Sequence, residues 1–130
     1  MLTQESLGQF TGTRAYHSLG LTTKMTKVIM SDGALHVACE AGAFWLMDEI
    51  AFAVQGLANQ NDGLKRIQFW NLKKKGNTAK LVCVEDSGLY PQYIKNIPFT
   101  DFPLDSIDLW VQPTQLGDED YWLIHLPSEY

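Results

Sequence analysis

Three histidines, two cysteines and fifteen carboxylates are the groups in these 130 residues with the chemistry for catalysis or metal binding. His17, His36 and His125 show no i, i+3 or i+4 pairing, and no HExxH or clustered Cys/His pattern occurs, so spacing supports no local zinc site. His36 alternates with apolar neighbours and His125 sits between Ile124 and Leu126; both read as partly exposed strand histidines. Cys39, near an expected helix start, has the position at which a helix dipole activates a thiolate, yet its apolar flanks fit a small buried packing residue better. Cys83, between Val82 and Val84, reads as strand core. Asp48 and Glu49 are adjacent, and adjacent helical side chains diverge, so they form no facing carboxylate pair. Neither GxGxxG, GxxxxGK[ST] nor GxSxG is present, and the serines lack a nucleophile context. Local spacing thus names no catalytic residue, metal ligand or cofactor. A small enzyme would need a pocket assembled from distant positions, such as His17, His36 and Asp48.

The charges carry more information. Net charge is −5, but Lys65, Arg66, Lys73, Lys74, Lys75 and Lys80 fall within sixteen residues, while residues 96–130 hold seven acids and no Lys or Arg. Such separation predicts opposite poles able to orient a charged partner. In the basic Lys65–Lys80 hairpin, lysines such as Lys73, Lys74 and Lys75 can neutralise phosphates, and an exposed aromatic, Phe69 or Trp70, can stack on an unpaired base. The simpler reading there is a solvated hairpin tip whose lysines deter edge pairing, and the acidic balance of the chain weighs against nucleic acid. In the acidic stretch, Asp101, Asp105, Asp108 and the run Asp118-Glu119-Asp120 can mimic a row of phosphates and occupy a basic groove on a nucleic-acid-binding protein. Soluble turns near Pro103 and Pro113 are the simpler alternative.

The elements that must position these groups follow from periodicity. Thr3 to Phe10 predicts a short N-terminal helix capped by Thr3, and residues 13–24 read as loop. Met25 to Met30 reads as a strand, Asp32-Gly33 as a hairpin turn and Ala34 to Ala38 as the return strand. Residues 42–58 form a helix apolar on nearly every side, with Leu46, Met47, Ile50, Val54 and Leu57 on one face and Phe44, Trp45 and Phe52 on its flanks. Those flanks demand cover from the N-terminal segment or a second subunit, so a homodimer is expected. Strands follow over 65–73, 80–85, 93–99, 107–112 and 121–126, with a Lys75-Gly76-Asn77-Thr78 hairpin and a last turn around 115–120. The prediction is one α+β domain over residues 1–130: a mostly antiparallel sheet of five to six strands packed on one central buried helix, with a short N-terminal helix. Two cysteines outside any CxxC pair fit reduced thiols, no signal pattern surrounds Gln4 and Glu5, and the apolar helix is too short for a bilayer. A cytoplasmic protein without a membrane partner is expected.

Ordered fragments point to a family. QFTGT (Gln9–Thr13), SDGALHVACEAGAFWLMDEIA (Ser31–Ala51), IQFWNLK (Ile67–Lys73), FTDFPL (Phe99–Leu104) and LPSEY (Leu126–Tyr130) resemble an uncharacterised family of small single-domain bacterial, phage and plasmid proteins, a domain of unknown function. Ala34 departs from its pattern, which has a larger β-branched residue after the glycine. The resemblance implies a shared fold and no activity; its mobile-element setting implies accessory roles such as interference with host defence. The leading expectation is therefore a non-enzymatic protein-binding accessory factor directed at a host nucleoprotein or defence machine, with Asp105, Asp108, Asp118, Glu119 and Asp120 meeting the partner. A nucleic-acid-binding module using Trp70, Lys73, Lys74 and Lys75 is the alternative.

Overall fold

The computed structural model describes residues 2–85 and 90–130. Thr3 opens α1 (Gln4–Leu7) by accepting from the Ser6 amide, while its own amide donates to Ser6 Oγ; the helix stops short of the predicted Phe10. β1 (His17–Ser18) and α2 (Leu21–Thr26) occupy the stretch read as loop, and β2 (Val28–Met30) is what survives of the 25–30 strand. Thr23 causes the change: its hydroxyl accepts from the Leu19 amide and donates to the Val28 carbonyl, closing the segment into a helical turn.

The Asp32-Gly33 hairpin and its return strand are not formed, because Asp32–Glu40 is helix α3. Ser31 is its buried cap, accepting from the Ala34 amide at 3.1 Å and donating to Glu129 Oε1 at 2.6 Å. Glu129 also accepts from the Gly33 amide at 3.0 Å and the Leu126 amide at 2.8 Å. A carboxylate here collects amides that a helix start leaves unpaired and suits the positive end of its dipole. A Cβ at residue 33 would lie 2.4 Å from Glu129 Oε1, so this glycine serves close approach rather than a turn. Asp32 faces the other way: it accepts from the Arg14 amide at 2.9 Å and bonds His17 Nε2 at 2.8 Å, while its amide donates to Thr13 Oγ1.

α4 (Phe44–Gln60) is the predicted central helix, with Leu46, Met47, Ile50, Val54 and Leu57 buried. Trp45 is partly buried against the core. Phe44 is 44% and Phe52 58% exposed, so within one chain the N-terminal segment does not cover these flanks.

The remaining strands are β3 (Gln68–Lys75), β4 (Thr78–Val84), β5 (Pro91–Ile97), β6 (Ser106–Leu116) and β7 (Glu119–His125). Two-residue turns close both hairpins, with Gly76 and Gly117 at φ 64° and 61° in the first turn position. All seven strands form one sheet in the order β1-β2-β7-β6-β3-β4-β5, and β2 runs parallel to β7. The α+β class is as expected, but the sheet is a mixed one of seven strands, not an antiparallel meander of five or six. The chain leaving β2 enters α3 instead of turning back, so the last strand takes that edge. Ser31 N donates to Ile124 O and Trp122 N to Lys27 O along it. Side chains from the sheet bond to α4: Gln68 Nε2 donates to the Val54 carbonyl and Trp122 Nε1 to Gln55 Oε1. Cys83 lies in the core as expected, and burial pushes its thiol up to about 12. Among the described residues no helix is long and apolar enough to cross a membrane.

Glu129→Ala strands the Ser31 hydroxyl and the Gly33 and Leu126 amides, and is expected to cost about 2–3 kcal/mol in urea unfolding. Gly33→Ala should cost less in that background than in the parent, the Leu126 methyl remaining in its way; fully additive losses would break the link between them. Asp32 is held below the ordinary carboxylate range first by the Arg14 amide and then by His17. A depressed carboxylate adds stability that is complete above its unfolded pKa and is lost as pH falls through the folded one. Asp32→Asn should therefore flatten the acid limb of a stability-against-pH curve below the ordinary carboxylate pKa.

Candidate nucleic-acid interface

Pleating sends successive strand residues to opposite faces. On β3, Gln68, Trp70 and Leu72 are buried, Phe69 and Asn71 are half-buried, and Lys73 and Lys75 are exposed. Pairing extends this division across the sheet: Phe69 lies opposite Trp110, Asn71 opposite Asp108, Lys73 opposite Lys80 and Lys75 opposite Thr78. The solvent face therefore has an aromatic end and a basic end, about 13 Å apart along β3 at roughly 3.3 Å per residue.

At the aromatic end the Phe69 and Trp110 rings meet edge to face at 5.0 Å, and Tyr130 lies 5.4 Å from Trp110. Arg66 and Gln112 share with these rings a hollow of about 410 Å³. Tyr130 and Trp110 also cover His125, which is buried rather than partly exposed. Its Nδ1 donates to the Leu126 carbonyl at 2.8 Å, and its Nε2 lies 2.7 Å from Gln112 Oε1. At the basic end Lys73, Lys75 and Lys80 border an open hollow of about 750 Å³, whose lining also takes in Lys74, Asn96 and Asp105. None of these three lysines forms an ion pair among the described residues.

Of the predicted nucleic-acid residues, one is shut off from solvent and another is already engaged. Trp70 is 1% exposed, donates through Nε1 to Gln68 and packs beside Tyr93, so it cannot stack on a base. Lys74 has the same parity as Trp70, and its Nζ donates to the Phe102 carbonyl at 2.6 Å, pinning the loop before β6. Of the two aromatics expected on this hairpin it is Phe69 that reaches the face, and Lys80 belongs to it as well, whereas Trp110 and Tyr130 were not among the residues expected to act here. The alternation Ile107, Leu109, Val111 against Asp108, Trp110, Gln112 is the signal that places Trp110 outward.

The acidic stretch does not form one pole. Asp105 and Asp108 lie at the start of β6, beside the lysines, because antiparallel pairing sets Lys73 opposite Ser106. Asp118, Glu119 and Asp120 lie at its far end, about 30 Å away along an eleven-residue strand. Asp108 accepts from Asn71 Nδ2 at 2.8 Å and Asp120 from Gln115 Nε2 at 2.9 Å. Glu119 accepts from the Tyr121 hydroxyl at 2.7 Å and from Lys27, which together hold it below the ordinary range. The same bond raises the Tyr121 hydroxyl. Asp118 occupies the exposed Gly117-Asp118 turn.

The groups with catalytic chemistry are dispersed. His17 is bonded to Asp32, His36 lies 3.3 Å from Ser6 Oγ with its ring on Phe10, and Asp48 stands on α4; no hydrogen bond or ion pair joins any two of His17, His36 and Asp48. His36 is helical, not a strand residue. The Ser31 hydroxyl beside the His17–Asp32 pair is fully buried and already engaged as donor and acceptor. Cys39 is exposed, correcting its expected burial, and it stands in the last turn of α3, at the opposite end from the one that activates a thiol. Ser87 lies outside the described residues. Among the described residues no group of three or more His, Cys, Asp or Glu is placed to hold a metal ion.

No curated protein and no solved structure matches this chain. A family model does, over residues 1–130, and the chain belongs to that family, one of unknown function (DUF6876).

Proposed function

We propose that this protein is a non-enzymatic nucleic-acid-binding module of the cytoplasm that works through the solvent face of its sheet. The observation that carries the reading is the convergence of Lys73, Lys75 and Lys80 on one face of neighbouring strands, exposed and beside an open hollow. Three ammonium groups at that spacing suit a phosphate backbone, and the aromatic cluster on the same face suits bases. A net charge of −5 opposes long-range attraction, so binding rests on this local surface and is modest in strength.

The exposed acidic turn favours a second reading. A mobile-element accessory factor that binds a host nucleoprotein or defence protein would use Asp118 and its neighbours Glu119 and Asp120, with Asp105 and Asp108 too distant to join them. A homodimer through Phe44 and Phe52 is compatible with either, since both rings are left uncovered.

Fluorescence anisotropy with labelled oligonucleotides over a salt series tests the first reading. Three phosphate contacts predict a log–log salt slope of about −2 to −3, falling by roughly 0.7–0.9 for each Lys73→Gln or Lys80→Gln substitution. Absence of binding at low salt to any oligonucleotide, single or double stranded, would discard it.

A further inference from the structure

We infer that the ligand is a single strand, DNA or RNA, whose bases stack at Trp110, Phe69 and Tyr130 while its phosphates run to Lys73, Lys75 and Lys80. This rests on the nucleic-acid reading above and adds the state of the ligand. In a duplex the faces of the bases are covered by their neighbours, so an aromatic cluster on a sheet has nothing to stack on. A single strand offers those faces, and stacking on protein rings tolerates any sequence.

The arrangement has the parts this needs. Phe69 and Trp110 are cross-strand partners, which fixes their rings relative to the lysines by pleat and register alone. Tyr130 is 77% exposed, and its ring lies over the His125 and Trp110 side chains, so an open ring surface is presented on a supported base. Arg66 lines the same hollow and supplies a planar cation able to stack or to meet a phosphate. Along β3 the path from Phe69 to Lys73 passes Asn71, with Asp108 on the next strand.

Asp108 is the one carboxylate beside that path with a specific consequence. It is exposed and negative, it opposes a passing phosphate, and its partner Asn71 Nδ2 is also bonded to Ser106 Oγ and the Ile107 carbonyl. Neutralising it leaves Asn71 satisfied and the strand intact. Asp108→Asn should therefore tighten single-strand binding several-fold, the reverse of what a structural carboxylate or an acidic docking residue predicts.

The experiment uses the full chain with fluorescein-labelled twelve-nucleotide DNA and RNA strands and the matching DNA duplex, read by anisotropy and by tryptophan quenching. The single strands should bind at least tenfold more tightly than the duplex and quench Trp110, the quench disappearing in Trp110→Phe. Tyr130→Ala, a change at an exposed ring that keeps Trp110 over His125, should weaken single-strand binding roughly 5- to 150-fold while leaving duplex binding unchanged. Equal affinity for duplex and single strand, or a Tyr130→Ala variant that binds as well as the parent, would overturn the single-strand inference and leave the phosphate-binding reading standing. No binding to any of the three would remove both. Sedimentation showing a dimer in which Tyr130 is protected from iodination would also overturn it, assigning the face to a second copy of the chain. Different affinities for the DNA and RNA strands identify which is the ligand.

Discussion

The Glu129 carboxylate at the start of α3 organises this molecule. Its two oxygens take a hydroxyl and two amides from Ser31, Gly33 and Leu126, joining the segment after β2 to the segment after β7. Charged acceptors of helix-start amides are among the stronger hydrogen bonds available to a chain, and here one side chain spans nearly the whole sequence. The parallel pairing of β2 with β7 is the consequence in the sheet. The next residue, Tyr130, is thereby laid against Trp110 and His125. The same contact that closes the fold thus shapes the aromatic end of the solvent face.

Several of the fragments that carry the resemblance meet at this place. Thr13 of the QFTGT fragment, Ser31 to Gly33 of the long central fragment, and Leu126 to Glu129 of the LPSEY ending surround the first turn of α3. Their polar groups bond to one another: Asp32 to Thr13, Arg14 and His17, Ser31 and Gly33 to Glu129. The His17–Asp32 pair, which in isolation suggests acid–base chemistry, reads here as a strap between the N-terminal segment and α3. The segments most recognisable in the sequence are therefore accounted for by construction of the fold.

Charge shows how far linear order can differ from arrangement. Basic and acidic residues are separated along the chain, but antiparallel pairing of β3 with β6 sets Lys73 opposite Ser106, with Asp105 and Asp108 close by. Asp118, Glu119 and Asp120 are carried to the far end of β6, where Lys27 and Tyr121 engage Glu119 and Gln115 engages Asp120. What survives as an uncompensated feature is smaller and more specific: three exposed lysines on one face, in line with three aromatic rings.

Elements with a local cause can be read from the order of residues alone. The 3.6-residue apolar pattern of α4, the alternation in β3, and the Gly76-Asn77 turn are consequences of side-chain period and backbone sterics, and each was legible in advance. Alternation also separated Phe69 from Trp70, but with both faces partly apolar it did not say which residue meets solvent. The tertiary structure decided that, since only the face bonded to α4 through Gln68 is buried. It likewise turned Asp32-Gly33 from a hairpin into a helix start. The deciding carboxylate, Glu129, lies almost a hundred residues away, and no local pattern carries an interaction at that separation.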